Sequence, residues 1–289
     1  MNKVDMQYQV LLQELVDLHD NSATVNADRT GVGTYSLFHR SLRFNLQEGF
    51  PILTTKFVSL KSVLGELLWL ISGSTNAQEL EQKYGCTIWQ EWARADGELG
   101  KVYGHQWRNF GHVQEFCEVS SALNDGDGWY DVQEGFDQIV WLINEIKTNP
   151  TSRRLYVTAA NPNDRDDQEL DCCHNYFQVV IKNGKLSLYF QMRSTDTFLG
   201  LPYNIASYAA LAHMLALETG YEVGELVYSG VDVHLYTNHI EQAKLQLSRE
   251  PKALPKLVIN KKPFFEYGLS DFKLEGYEYH PAIKADVAV

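Results

Sequence analysis

Hydrophobic and polar positions follow two different periods along this chain. From Leu60 to Ile71 the apolar residues Leu60, Val63, Leu64, Leu67, Leu68 and Ile71 fall on one stripe of helical spacing, which predicts an amphipathic helix. Ser59 stands where a cap would accept the first free N–H groups, and Gly73 where a left-handed residue would end the helix. A second helix is expected from Ile205 to about Glu218. It is apolar nearly all round, so it belongs in the middle of the fold. Between the two lies strand territory. Phe177 to Lys182 and Leu186 to Met192 flank Asn183-Gly184, the strongest short signal for a hairpin. Leu155 to Ala159 and Leu226 to Tyr236 are also rich in strand formers. Helices from Tyr8 to Leu18 and from His239 to Leu247 complete an α+β pattern, a mixed central sheet with helices packed on it. Residues 111–135, with the run Asn124-Asp125-Gly126-Asp127-Gly128, read as a surface insertion. No repeat, low-complexity tract or Pro/Ser-rich linker marks a boundary, so 1–289 is expected to be a single domain.

Composition narrows the class. Hydrophobic residues at 44% and charged residues at 21% are the balance of a folded globular chain. No apolar run approaches the ~18 residues that would suggest a membrane span. The first twenty residues carry Asp5, Glu14, Asp17 and Asp20 and lack a cationic-then-apolar layout, so a mature start without a signal peptide is expected. Four cysteines (Cys86, Cys117, Cys172 and Cys173) without a C-x2-C pair point to reduced thiols in a cytoplasm and to no metal site. A net charge of −12 argues against a general nucleic-acid surface, and no DNA partner is expected. An anionic small substrate would need a local set of arginines standing against that field.

The residues that could carry chemistry each have two readings. In Asp171-Cys172-Cys173-His174 a cysteine beside a histidine reads as a nucleophile or as part of a pair of buried thiols. The acidic residues before it (Asp164, Asp166, Asp167, Glu169, Asp171) oppose a thiolate, so a cation is required. Arg193 is the candidate, since the second hairpin strand returns alongside the segment after Cys173. Arg29, Arg153-Arg154 and Arg193-Ser194, the last ahead of a Gly-Leu-Pro turn, are solvated charges or phosphate forks. Asn204 caps the buried helix or presents its amide to a base edge. Glu66, off the centre of its stripe, is solvated or is a site-facing acid. Trp89 and Trp92, three apart, share a face on a helical turn and form core or a stacking wall. His234 and Tyr236 alternate along a strand, where they pack or hold a sugar hydroxyl.

Taken in order, these segments resemble the thymidylate synthase family over nearly the whole chain. The matching stretches include Asp28-Arg29-Thr30-Gly31-Val32-Gly33-Thr34, Glu66-Leu67-Leu68-Trp69, Thr87-Ile88-Trp89-Gln90-Glu91-Trp92 and Val102-Tyr103-Gly104-His105-Gln106-Trp107-Arg108. The most specific is the run from Arg193-Ser194-Thr195-Asp196 through Leu199-Gly200-Leu201-Pro202-Tyr203-Asn204 to Tyr208, followed by His234-Leu235-Tyr236. The resemblance implies an obligate homodimer with sheets packed back to back, acting on dUMP with 5,10-methylene-tetrahydrofolate. Arg29, Arg193 and Ser194 would hold the phosphate, with Arg153 and Arg154 reaching over from the partner subunit. His234 and Tyr236 would hold the deoxyribose. Asn204 would read the pyrimidine edge and favour uracil over cytosine. Cys173, beside His174, would attack carbon 6, Arg193 would favour its thiolate, Glu66 would move protons through water, and Tyr103 would help to remove the carbon 5 proton. Lys56, Ile88, Trp89, Trp92, Leu170, Leu199, Gly200 and Tyr203 would bind the folate. Asp196 would hydrogen-bond the pterin, and Ala288-Val289 would close over the site. The setting implied is cytoplasmic, or a host cytoplasm for a viral chain.

Several positions depart from the family pattern. Phe57 and Ser59 stand where an arginine and a histidine are common, which puts polyglutamate-tail binding in question. Cys172 stands where a proline usually precedes the nucleophile. Ala160 replaces a tryptophan, Tyr203 a phenylalanine and Asp286 a proline. One intermediate has two fates: hydride gives a methyl product, and water gives a hydroxymethyl product as in pyrimidine hydroxymethylases, according to how well the closed site excludes water. A non-catalytic nucleotide binder and a Cys–His hydrolase are the readings from other classes.

Overall fold

The computed structural model describes residues 2–117 and 128–288, of which 114–117 and 128–132 are described by backbone alone. Its elements run α1 (Lys3–Asp20), β1 (Thr34–Asn45), α2 (Leu60–Ser72), α3 (Ala77–Tyr84), α4 (Tyr103–Arg108), β2 (Val113–Cys117), β3 (Gly128–Gln133), α5 (Gln138–Thr148), β4 (Tyr156–Thr158), β5 (Tyr176–Lys182), β6 (Lys185–Asp196), α6 (Gly200–Thr219), β7 (Glu222–Tyr236), α7 (Ile240–Leu247), β8 (Lys256–Ile259) and β9 (Phe272–Glu275). Five strands form the central sheet in the order β1-β7-β6-β5-β4. Only β6 and β7 run parallel; the other neighbours are antiparallel, which gives the mixed α+β sheet expected.

Local chemistry accounts for most of these elements. Asn183 (φ 52°) and Gly184 (φ 74°) both take the left-handed conformation that a tight hairpin needs, and they join β5 to β6. Ser59 accepts from the Ser62 N–H at the start of α2, and Gly73 (φ 85°) ends it. Helix α6 begins five residues before the expected Ile205. Gly200, Leu201 and Pro202 form its first turn rather than a separate turn, because proline in the first turn surrenders only an N–H that has no helical partner. Asn204 therefore lies inside the helix and is not its N-cap. Helix α1 likewise starts early, at Lys3, where Asn2 accepts from the Val4 and Asp5 N–H groups.

One face of the sheet is the core. Leu186, Leu188, Phe190 and Met192 of β6 and Phe177 and Val179 of β5 are buried against α6, whose residues Ile205, Ala209, Ala210, Leu211, Met214 and Leu215 are wholly buried. Tyr208 of α6 stacks on Phe190 with ring centroids 4.3 Å apart. On the opposite face Tyr156 and Val180 are exposed beside the half-buried Tyr176 and Tyr189. Within 111–135, β2 and β3 pair as a separate two-stranded ribbon, and the Asn124-Asp125-Gly126-Asp127 part of the expected insertion lies outside the described residues.

Candidate active site

Parallel pairing brings the C-terminal ends of β6 and β7 side by side, with Ser194 opposite Asp232 and Asp196 opposite His234. At those ends opens a cavity of about 590 Å³, in the usual range for a small-molecule site. Its walls are Arg29 and its neighbours before β1, Trp92, residues 168–171 and Cys173, Arg193, Ser194 and Asp196, Asp232, His234 and Tyr236, and Ala288 from the C-terminal segment. Ten of the residues expected from the sequence thus meet in one place: Arg29, Trp92, Leu170, Cys173, Arg193, Ser194, Asp196, His234, Tyr236 and Ala288.

Cys173 is held by its backbone. Its N–H donates to the Tyr103 hydroxyl at 2.6 Å, and its carbonyl accepts from the Arg193 N–H at 2.9 Å. The Arg193 guanidinium is pinned in turn, donating to the carbonyls of Cys172 (3.2 Å) and Asp171 (2.7 Å). Two of its five N–H groups are used there, and the rest remain for the cavity. Burial pushes the Cys173 thiol up; Arg193 and the Tyr103 hydroxyl pull it down, and Asp171 pushes it up again. Arg193 therefore acts in the direction expected of it but is outweighed by burial, and the net shift is upward. Neighbouring Cys172 is buried and pushed up to about 12, chiefly by that burial, which leaves it an unreactive thiol.

His174 does not partner the thiol. Its Nδ1 lies 2.9 Å from the Tyr208 hydroxyl, and its ring stacks on Tyr103 at 4.1 Å. Burial drives it down to about 3, so it is neutral across the physiological range. The Cys–His arrangement of a hydrolase is not formed; the Cys173 sulfur lies 3.8 Å from the Asp171 carbonyl and interacts with the Tyr103 hydroxyl.

Glu66 is buried, which excludes its solvated reading. Trp89 Nε1 donates to it at 2.8 Å. Burial pushes the carboxyl up to about 7 against that hydrogen bond, so it can hold or release a proton near neutrality. Trp89 meets Trp92 edge-on at 5.9 Å and Tyr103 at 5.7 Å, which sets Glu66 one aromatic layer behind the cavity wall. The two tryptophans share a single hydrogen-bonded turn rather than a helix, with the Trp92 N–H on the Trp89 carbonyl at 3.3 Å. Trp92 Nε1 is buried without a partner. Such a donor costs about 1–3 kcal/mol unless a ligand acceptor meets it, which suits a flat ring with polar edges.

The other expected residues are placed differently. Asn204 is half-buried on α6 one turn before Tyr208, on the face that leads to His174. Lys56 does not line the cavity: its amine is buried over the Phe198 ring at 3.8 Å, donates to the Phe198 carbonyl, and is brought down to about 7 by burial against the pull of Asp196. Asp196 spends one carboxylate oxygen on the Phe198 and Leu199 N–H groups. Ile88 is exposed, and Tyr203 lies beside the Ser59 backbone and Cys86. Leu199 and Gly200, at the start of α6, stand outside the cavity wall, and Arg153 and Arg154 are exposed next to β4. The lining residues not named as site residues from the sequence include Asp28 and Asp232. Asp28 fixes the loop that carries Arg29, accepting from the Thr30 N–H (2.7 Å) and hydroxyl (2.6 Å). Asp232 accepts from Ser36 and lies 3.7 Å from His234 Nδ1. The period of two that joins His234 to Tyr236 extends back to Asp232 and could have found it.

A half-buried thiol beside a fixed arginine, with a carboxyl titrating near neutrality behind it, makes a candidate nucleophilic site on an α+β scaffold. Compared with known families, residues 6–289 match the one described as thymidylate synthase, and the chain belongs to that family. It is therefore a one-carbon transferase of nucleotide biosynthesis that draws on methylene-tetrahydrofolate. Among the described residues, no group of three or more His, Cys, Asp or Glu side chains is gathered as for a metal, and no helix is long and apolar enough to cross a membrane.

Proposed function

We propose that this chain converts dUMP to dTMP, with the Cys173 thiolate adding to carbon 6 of the uracil ring. The observation that carries the reading is the position of Cys173, at the cavity floor between Arg193 and Tyr103, with Glu66 poised near neutrality behind Trp89. Addition at carbon 6 pushes electrons toward the carbon 4 carbonyl and makes carbon 5 nucleophilic. Glu66 delivers and recovers a proton at that carbonyl through water, and Tyr103 assists removal of the carbon 5 proton. Methylene-tetrahydrofolate supplies the one-carbon unit and, for a methyl product, the hydride. Trp92, Leu170 and Ala288, with Trp89 behind them, form its ring wall, and Asp196 holds the pterin with its free carboxylate oxygen. Ile88, Leu199, Gly200 and Tyr203 flank the same end, and Lys56 supports it from beneath Phe198. His234 and Tyr236 hold the deoxyribose, and Asn204 reads the base.

The phosphate needs more than one chain provides. Two arginines, Arg29 and Arg193, line the cavity against five carboxylates (Asp28, Glu169, Asp171, Asp196 and Asp232). A dianion would be repelled there unless further cations arrive. Arg153 and Arg154 of a second copy, joined through the sheet face that carries the exposed Tyr156 and Val180, are the proposed source, and Ser194 completes the phosphate site. The working form is then a homodimer, and its proposed setting is the cytoplasm.

Hydroxymethyl transfer is the second reading. It is favoured by the polar lining at Gln168, Glu169 and Asp171, which can hold water close to the reacting carbon. Incubation with dUMP and methylene-tetrahydrofolate, with the nucleotide identified by mass, separates the two. The expected result is dTMP with a matching rise in dihydrofolate absorbance. Hydroxymethyl-dUMP without that rise would replace the first reading by the second.

A further inference from the structure

The C-terminal segment reaches the cavity through a series of backbone contacts. The His280 N–H donates to the Thr54 carbonyl at 2.8 Å, and Arg249 donates to the Pro281 carbonyl at 2.7 Å. Ile283 and Ala285 pack against the core, and Ala288 lines the cavity. Between Pro281 and Ala288 one polar anchor is made among the described residues: His239 Nε2 stands 2.8 Å from the Asp286 carbonyl.

His239 is wholly buried, and its ring lies 5.7 Å from Tyr236 and 5.5 Å from Phe198. A carbonyl only accepts, so Nε2 must carry the proton toward Asp286. Nδ1 is buried without a partner. An unpaired N–H there would be penalised, so the hydrogen bonding favours the Nε2–H form with the buried Nδ1 bare. The ring is thus fixed between a residue of the cavity wall, Tyr236, and the turn after Asp196, with its one proton directed at the tail.

We propose that His239 is a positioning residue: it latches the C-terminal segment over the active site, so that Ala288 stays in the cavity wall and water is kept from the reacting carbon. The latch takes a backbone carbonyl, so the side chain at 286 is free to vary. The consequence for product rests on the one-carbon transfer proposed above; the latch itself does not.

His239→Phe keeps the ring contacts and removes the donor, and His239→Gln keeps a donor. In the uncomplexed enzyme, His239→Phe is expected to let a carboxypeptidase release Val289 and Ala288 about fivefold faster, the effect of losing one hydrogen bond. His239→Gln should restore much of the protection, and Asp286→Ala should behave as wild type. With substrates, His239→Phe should leave the KM for dUMP unchanged, raise that for the folate, and increase the share of hydroxymethyl product. Unchanged tail release in His239→Phe, or equal release in both His239 variants, would overturn the latch. Should His239→Phe not fold, nitrogen NMR of the wild-type imidazole decides, with Nε2–H expected and Nδ1–H contradicting. Failure of the wild type to turn over dUMP would remove the proposed function, while tail release would still test His239.

Discussion

Glu66 shows how burial alone can bring a helix carboxyl to titrate near neutrality. Its carboxyl rises from 4.5 to about 7 because it is taken out of water, with one N–H from Trp89 in partial compensation. The folded state holds that proton more tightly than the unfolded chain, so protonation favours the fold and the contribution is lost as pH rises through about 7. Glu66→Gln, fixed in the neutral form, should therefore gain stability on wild type as pH rises from 4.5 to about 7. Its kcat should fall about 10²- to 10³-fold and lose the limb near neutrality, measured as a pH–rate profile. A profile with that limb intact would remove Glu66 from proton transfer. Cys173, Arg29 and the Arg193-Ser194 pair were legible because residue type and order carry them. The burial of Glu66 was not, since its position on the stripe fits either surface or site. Nor was the balance at Cys173, where Arg193 pulls the thiol down and burial, a property of the whole fold, exceeds it.

Among the elements, α6 joins the core to the chemistry. Tyr208 stacks on Phe190 and places its hydroxyl 2.9 Å from His174, which follows Cys173 in the chain. Tyr208→Phe keeps the ring and removes only that hydroxyl, leaving a buried His174 nitrogen unpaired. The expected loss is about 1–3 kcal/mol of stability by urea denaturation. No loss would mean that His174 finds another partner and that α6 does not hold the Cys173 segment. Elements with a clean period were readable: α2 from its stripe, β5 and β6 from Asn183-Gly184. Helix α5 carries an equally regular stripe at Ile139, Leu142, Ile143 and Ile146 behind the Asp137 cap and was legible on the same grounds, though it was not among the expected elements. Strand β1 was hidden for a physical reason. It is an edge strand, and His39 enters the left-handed region (φ 51°), which breaks the alternation between Phe38 and Leu42.

For the whole molecule, charge and sheet surface lead to the same expectation. A cavity with two arginines and five carboxylates does not suit a phosphate, and Arg153 and Arg154 stand exposed near the sheet face that carries the exposed Tyr156 and Val180. If each site draws these arginines from a second copy, an inactive Cys173→Ala chain and an inactive Arg153→Ala/Arg154→Ala chain should complement one another. Reassociated as an equal mixture, they form half heterodimers with one sound site of two, and activity should return to about a quarter of wild type. No recovery despite subunit exchange would place all the phosphate contacts within one chain. The chain's net charge of −12 carries no sign of this grouping, and Arg153 and Arg154 were expected across the interface only from the family resemblance, because the cations that matter lie far apart in sequence.

The central claim is that the Cys173 sulfur bonds to carbon 6 of the pyrimidine. The most direct test uses 5-fluoro-dUMP with methylene-tetrahydrofolate, since fluorine cannot leave carbon 5 as a proton does and the adduct is held on the enzyme. Digestion and mass mapping should place the added mass on Cys173, in wild type and in Cys172→Ala alike. An adduct on Cys172, or none on an enzyme that still turns over dUMP, would contradict it.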